Sequence, residues 1–140
     1  MSTLQVDIVS AEEQLYTGQA SLVVAPAEEG DVGIAPRHAP LLTRLRPGEV
    51  RITQEDGEEY LYYASGGLLE VQPSSVTVLA DTAVRAHDID EAAALEAKRR
   101  AEEKLQVQKD EVDYGQVQAE LAEAMAQLRT LENLRKRAKR

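Results

Sequence analysis

The chain has 140 residues, a net charge of −9, no cysteine, no phenylalanine and no tryptophan. That length fits one domain or a small domain with an appendage, and its interior must be filled by Val, Ile, Leu and Ala. Disulfides, thiolate metal sites and a cysteine nucleophile are excluded. The acidic balance argues against general nucleic-acid binding, which relies on Lys and Arg to neutralise phosphates. The charge is unevenly placed. Up to Asp90 there are 15 acids against 5 arginines and no lysine, whereas from Glu91 onward 10 acids face 11 bases. Two chemically different halves are expected, at 1–86 and 87–140.

The first half reads as β structure. The start, MSTLQVDIVS, lacks the basic and apolar runs of a secretory signal, and Leu4, Val6 and Ile8 alternate with polar neighbours. Leu22-Val23-Val24 is a short apolar run suited to a strand buried on both sides. Val50 and Ile52 alternate before Glu55-Asp56-Gly57-Glu58, and Tyr60, Tyr62 and Ala64 resume the pattern. Asp-Gly between alternating runs predicts a hairpin, because such a turn needs φ > 0. Pro47-Gly48, Gly66-Gly67 and Pro73-Ser74-Ser75 punctuate the remainder, and Val76, Val78 and Ala80 alternate again. Closely spaced short strands predict an antiparallel β-sandwich or flattened barrel.

Near Asp88 the period changes. Asp88 and Glu91 have capping-box spacing, and AAALEAKRRAEEKLQ is built of strong helix formers. Ala93, Ala97, Ala101 and Leu105 fall at i, i+4 spacing on one stripe. Asp113 with Gln116 repeats the cap and starts a second helix, whose seam is Tyr114, Val117, Leu121, Ala124, Leu128 and Leu131. Lys109-Asp110-Glu111-Val112 forms the connection. An antiparallel two-helix hairpin is predicted, an α+β chain in all. A single long helix of a coiled-coil dimer is the alternative, but it would leave the second cap without a purpose. No stretch approaches the roughly 20 apolar residues that span a bilayer.

Chemistry-bearing groupings are absent from the sequence. His38 and His87 are the only histidines and lack metal-pair spacing. The serines lack G-x-S-x-G context, and Gly30-Asp31-Val32-Gly33 lacks the Lys-Ser/Thr ending of a phosphate loop. The pairs Glu12-Glu13, Glu28-Glu29 and Glu58-Glu59 lie beside turns and read as solvated surface. No enzyme activity is expected of the chain by itself. The segment GDVGIAPRHAPLLTRLRPG, from Gly30 to Gly48, holds three prolines and reads as a shaped loop. It either tucks Leu41 and Leu42 into the core or presents a rigid docking surface.

GDVGIAPRHAPLLT, then ASGGLLEVQPSSVTVLADTAVR, then DIDEAAALEAKRRAEE together resemble the epsilon subunit of bacterial F-type ATP synthases, the proteobacterial ones above all. The likeness runs in the same order over nearly the whole chain. It implies a β-sandwich plus helical hairpin in the rotating central stalk, coupling proton-driven rotation to ATP synthesis. The implied partners are the gamma subunit, the c-subunit ring and the catalytic alpha and beta subunits. The location implied is the cytoplasmic face of the bacterial inner membrane, peripheral and reached only through the complex. By resemblance, Asp31 faces the c-ring and His38 lies near gamma, with Gly33, Pro40 and Leu42 completing the docking set. The alternative for either is an ordinary solvated loop residue, a reading nearly as strong for His38.

In similar subunits the hairpin can extend into the catalytic head and block ATP hydrolysis. About 50 residues would reach roughly 75 Å as helix. Arg129, Arg135, Lys136, Arg137, Lys139 and Arg140 crowd the last twelve residues, suited to an acidic partner or, more blandly, to the helix dipole. Relatives that bind ATP carry Ile or Leu, Asp, two variable residues, then Arg-Ala. Here Ile89 and Asp90 are followed by Ala93 where that arginine should stand. Arg100 and Arg129 remain at places resembling other nucleotide contacts, so weak or absent ATP binding, no cofactor and a monomeric isolated protein are expected.

Overall fold

A computed structural model of the chain describes residues 2–107 and 113–138. It divides into two compact units, Met1–Arg85 and Ala86–Arg140. The first contains β1 (Leu4–Ser10), β2 (Gln14–Ala20), β3 (Leu22–Ala27), β4 (Gly30–Ile34), β5 (Leu41–Leu45), β6 (Gly48–Thr53), β7 (Glu59–Ala64), β8 (Gly67–Gln72), β9 (Ser75–Ala80) and β10 (Ala83–Arg85). The second contains a 3-10 turn (Ala86–Asp88), α1 (Glu91–Val107) and α2 (Tyr114–Ala138). The α+β class and the β-sandwich followed by two helices are as the periodicity predicts.

The ten strands form one sheet in the order β10-β7-β6-β3-β5-β8-β9-β1-β2, with β4 paired to β3. All pairings are antiparallel except that of β1 with β9. The sheet folds over a mainly aliphatic centre, with Leu4, Val6, Ile8, Val23, Ile34, Val50, Ile52, Leu69, Val71, Val76 and Val78 fully buried. Chain ends of the sheet, β2 and β10, meet at a seam. There Arg85 donates to the Leu15 carbonyl at 3.1 Å. Tyr16 of β2 lies 6.0 Å from the Tyr60 ring and 6.1 Å, edge on, from that of Tyr62. Gln54 donates to the Tyr16 hydroxyl at 3.0 Å. Burial pushes the Tyr62 phenol above its ordinary pKa, against the lowering effect of Arg85.

Several local expectations are redrawn. Leu22-Val23-Val24 is not buried on both faces: Val23 is, while Leu22 and Val24 are half-exposed, because β3 has one face to the core. The doubly buried strand is β7, where Leu61, Tyr62, Tyr63 and Ala64 are all covered. Asp56-Gly57 does sit in a hairpin, and only Gly57 takes positive φ, at 90°. The Gly57 N–H donates to Gln54 O at 2.9 Å and the Gln54 N–H to Glu58 O at 2.8 Å, a turn closed by a left-handed residue. Gly67 has φ 129°, and a Cβ there would lie 2.0 Å from the Leu79 carbonyl oxygen. That position admits glycine alone.

The helical unit is an antiparallel hairpin. Glu91 at the start of α1 pairs with Arg135 near the end of α2, and Lys104 reaches Glu120 at 3.9 Å. The linking Lys109–Val112 lies outside the described residues. The first cap is Asp90, not Asp88: its carboxylate accepts from the Ala93 N–H at 3.0 Å. Asp88 is taken up in the 3-10 turn, whose carbonyl at Ala86 receives the Ile89 N–H at 3.2 Å. Asp113 caps α2 as predicted, accepting from Gln116 N–H at 3.2 Å. The buried stripe of α1 is Ala94, Ala101 and half-buried Lys98 and Leu105, whereas Ala93 and Ala97 are exposed. Uniform steps of four drift by 40° each around a helix, so alternating steps of three and four keep one face. The α2 seam holds at Val117, Ala124 and Leu131, with Leu121 and Leu128 half-buried and Tyr114 exposed. A second α2 face, Ala126 and Thr130, is also buried, with the Thr130 hydroxyl donating to Ala126 O at 2.8 Å.

Asp90→Ala should lower the unfolding stability of the hairpin by about 1 kcal/mol, as loss of an N-cap does. Asp88→Ala should change it by less than about 0.5 kcal/mol. Thermal unfolding followed by helical circular dichroism separates the two, and equal losses would reject Asp90 as the cap.

Candidate functional site

The segment expected to be one shaped loop is mostly strand. Asp31 and Gly33 lie on β4 and Leu42 on β5, so that the connections within it are residues 35–40, carrying His38 and Pro40, and the short link 46–47. Leu41 packs against the core and Leu42 does not, being 68% exposed. The pair therefore divides between the two readings of the loop, since neighbouring strand residues face opposite ways.

Arg46 organises this end of the sandwich. Its Nε donates to Ala27 O at 2.7 Å and its Nη2 to Asp31 Oδ1 at 3.1 Å. Its backbone N–H donates to Pro26 O at 2.8 Å. The ion pair is half-exposed and contributes under about 1 kcal/mol, so its effect is orientation more than stability. Beside it runs an open groove of about 390 Å³ lined by Ala27 to Val32 and by Leu41, Leu42 and Thr43. The groove brings Asp31 and Leu42 together. It does not include Gly33, His38 or Pro40.

The connection is rigid. The Arg37 N–H donates to Pro73 O at 2.8 Å and the His38 N–H to Ala35 O at 3.2 Å, closing a turn over Pro36-Arg37. Arg37 is held at φ 73°, a conformation that costs a non-glycine residue about 1–2 kcal/mol. His38 Nδ1 donates to the Ala39 carbonyl at 2.7 Å, which places the proton on that nitrogen.

The outward face of β5, β8 and β9 holds residues that the sequence reading did not single out. Leu68 is 42% exposed and lies opposite Leu79, itself 45% exposed. On its other side Leu68 faces Arg44, while Leu79 faces Val9 across the parallel pair. Two leucines stand outward, Leu68 diagonal to exposed Leu42 whose direct partner is Glu70, on strands whose alternate residues fill the core. Strict alternation could have revealed them: with Leu69 and Val71 inward, Leu68 must face out, and Val78 and Ala80 impose the same on Leu79.

In the helical unit, three of the four residues considered for nucleotide contact are otherwise engaged, and Arg129 stands exposed on α2. Ile89 is buried and Asp90 caps α1. Arg100 donates to Glu96 at 3.1 Å, and Arg99 donates to Glu96 and Glu103, each at 2.7 Å. The Arg99 hydrogen bond, with Arg100 adding to it, holds the Glu96 carboxyl down at about 2. Arg129, Arg135, Lys136 and Arg137 share the C-terminal half of α2, where Arg135 reaches Glu91 and Lys136 reaches Glu132 at 3.3 Å. Lys139 and Arg140 fall outside the described residues. Among the described residues no group of three or more His, Asp or Glu is placed to hold a metal ion, and no helix is long and apolar enough to cross a membrane.

Residues 3–86 match the family ATP synthase, Delta/Epsilon chain, beta-sandwich domain, and residues 87–132 match ATP synthase, Delta/Epsilon chain, long alpha-helix domain. The chain is 86% identical to the ATP synthase epsilon chain of Halorhodospira halophila, over the full length of both. It is 70% identical to that of Alkalilimnicola ehrlichii, again over the full length of both. Among solved structures it is similar to a chain in the cryo-EM structure of Euglena gracilis mitochondrial ATP synthase, OSCP/F1/c-ring in rotational state 1. That likeness has a TM-score of 0.75 at 21% identity and covers 89% of this chain and 77% of the other, which shows the shared fold. With both domains matched and full-length relatives this similar, the chain belongs to the ATP synthase delta/epsilon family, as an epsilon-type member.

Proposed function

We propose that the chain is a non-catalytic part of the rotating stalk, in which the sandwich docks on gamma and the c-ring while the helical hairpin restrains ATP hydrolysis. The observation that carries the docking half is the outward row of Leu68 and Leu79, with Leu42 diagonal to Leu68. Exposed apolar side chains grouped on one sheet face mark a partner surface. The Euglena structure of the same fold is an assembly with F1 and a c-ring, which supports a place for this chain in such a complex, and gamma is proposed from the family resemblance. Leu42 and Asp31, at the groove, suit the c-ring side, and the leucine row suits gamma. The complex would hold the chain peripherally at the cytoplasmic face of the inner membrane.

The inhibitory half rests on how lightly the hairpin is closed. Small residues, Ala94 and Ala101, fill the α1 stripe, and each buried methylene contributes only about 0.8 kcal/mol. The pairs Glu91–Arg135 and Lys104–Glu120 are exposed, so each contributes under about 1 kcal/mol. An opened form is thus energetically near, and opening frees Arg135 from Glu91 for an acidic surface of the catalytic head. No nucleotide latch is needed. Ala93 stands where a phosphate-binding arginine would, and Arg100 is tied to Glu96.

Replacing Leu68 and Leu79 together by Asp should weaken co-purification with gamma at least tenfold and leave the circular dichroism spectrum unchanged; undiminished co-purification rejects the row as a docking face. Truncation after Leu128 should raise ATP hydrolysis by the assembled head, and an unchanged rate would reject inhibition through the C-terminal helices. Calorimetry on the isolated chain should detect no micromolar ATP binding, whereas a clear micromolar isotherm would show that Ala93 is compensated elsewhere.

A further inference from the structure

The edge of β4 is built to receive another strand. Pro26 has no N–H, and its carbonyl accepts from Arg46 on the side away from β4. In an antiparallel pair the N–H and C=O of one residue point to the same side, so Pro26 and its partner Asp31 form a pair without mutual hydrogen bonds. The register runs without a shift, so the same holds two residues on for Val24 and Gly33. Asp31 and Gly33 therefore turn their N–H and C=O groups outward, along an edge on which no further strand lies among the described residues.

We propose that this edge takes up an extended, basic segment of a partner subunit as an added strand. Exposed edges are blunted by charged residues, lysine above all, by proline, by a bulge or by shortness. The five residues of β4, GDVGI, have no lysine, proline or bulge and carry only the charge of Asp31, which Arg46 engages. Gly33 has no positive φ, and a Cβ built on it meets nothing within 4 Å. Neither backbone strain nor internal packing explains a glycine there; close approach of another backbone does. The rim supplies the sign of the partner. Glu28 and Glu29 are exposed at the β3–β4 turn, and Asp31 follows them. A second copy pairing edge to edge would bring these acids together, which disfavours self-association and favours Lys or Arg on the incoming strand. Main-chain hydrogen bonds give such an addition its affinity, and the neighbouring groove gives room for one of its side chains.

This rests on the docking reading above, and hydrogen exchange on the full-length chain, free and assembled with gamma and the c-ring, tests both separately. In the free chain the Asp31 and Gly33 amides should exchange rapidly, and on assembly they should slow at least tenfold. Gly33→Pro deletes one outward N–H and spares the β3 ladder, so it should weaken assembly about tenfold, while Gly33→Ala, which keeps the N–H, should weaken it less. Normal assembly with both amides still exchanging rapidly overturns the strand addition alone. Protection that grows with concentration of the isolated chain overturns the partner assignment in favour of a second copy. Failure of the wild-type chain to assemble overturns both readings.

Discussion

Every feature of the sandwich depends on how one long sheet, with an aliphatic interior, disposes of its edges. Ten strands folded over a core of Val, Ile and Leu leave two open sides. On one, β2 and β10 meet and are sealed by Tyr16, Tyr60, Tyr62 and Arg85. Here the few aromatics of the chain find their use: a phenol ring spans a gap that an aliphatic branch cannot, and its hydroxyl can end in a hydrogen bond. On the other side β4 and β5 are left apart, with Arg46 bracing the corner through Ala27 and Asp31. The closed side supplies rigidity, and the open side is where backbone groups remain for another chain.

The same logic explains which parts of this fold were legible in the sequence. Strands with one core-facing side announce themselves by period two, and Leu4, Val6 and Ile8 or Val76 and Val78 are buried as that period requires. Burial of both faces is not a local property, so Leu22-Val23-Val24 imitated it and β7 concealed it behind tyrosines. Both helix caps were visible as Asp followed by helix formers, and the first was displaced by two residues because a 3-10 turn intervened. Period four in alanines was mistaken for a face that only alternating threes and fours can hold. The docking residues divide in the same way. Asp31 and Leu42 share a groove, but the outward leucines became apparent only once their inward neighbours were fixed.

Family membership follows from matches over both domains, and it brings partners that no side chain of this chain names. Arg37, its backbone held at φ 73° beside Pro36 and by its N–H bond to Pro73 O, keeps a left-handed turn where a glycine would sit without strain. Such strain persists only where the surroundings over-determine the backbone, and it is found where a precise surface matters.

A stalk component must transmit torque without yielding, whereas the inhibitory role proposed for the hairpin requires an arm able to let go. One packing density cannot serve both demands. The sandwich buries branched side chains on every strand that faces its centre, so removing any of them would leave a cavity costing several kcal/mol. The hairpin closes on alanines, on the partly covered stem of Lys98 and on exposed ion pairs that salt would screen. Its α2 seam nevertheless keeps Val117, Ala124 and Leu131 buried, enough to hold one register while closed. The unequal distribution of charge first seen along the chain follows from this difference. In the body, repulsion among uncompensated acids is opposed by a large aliphatic core, whereas the lightly packed arm carries acids and bases nearly in balance and so faces little repulsion on closing.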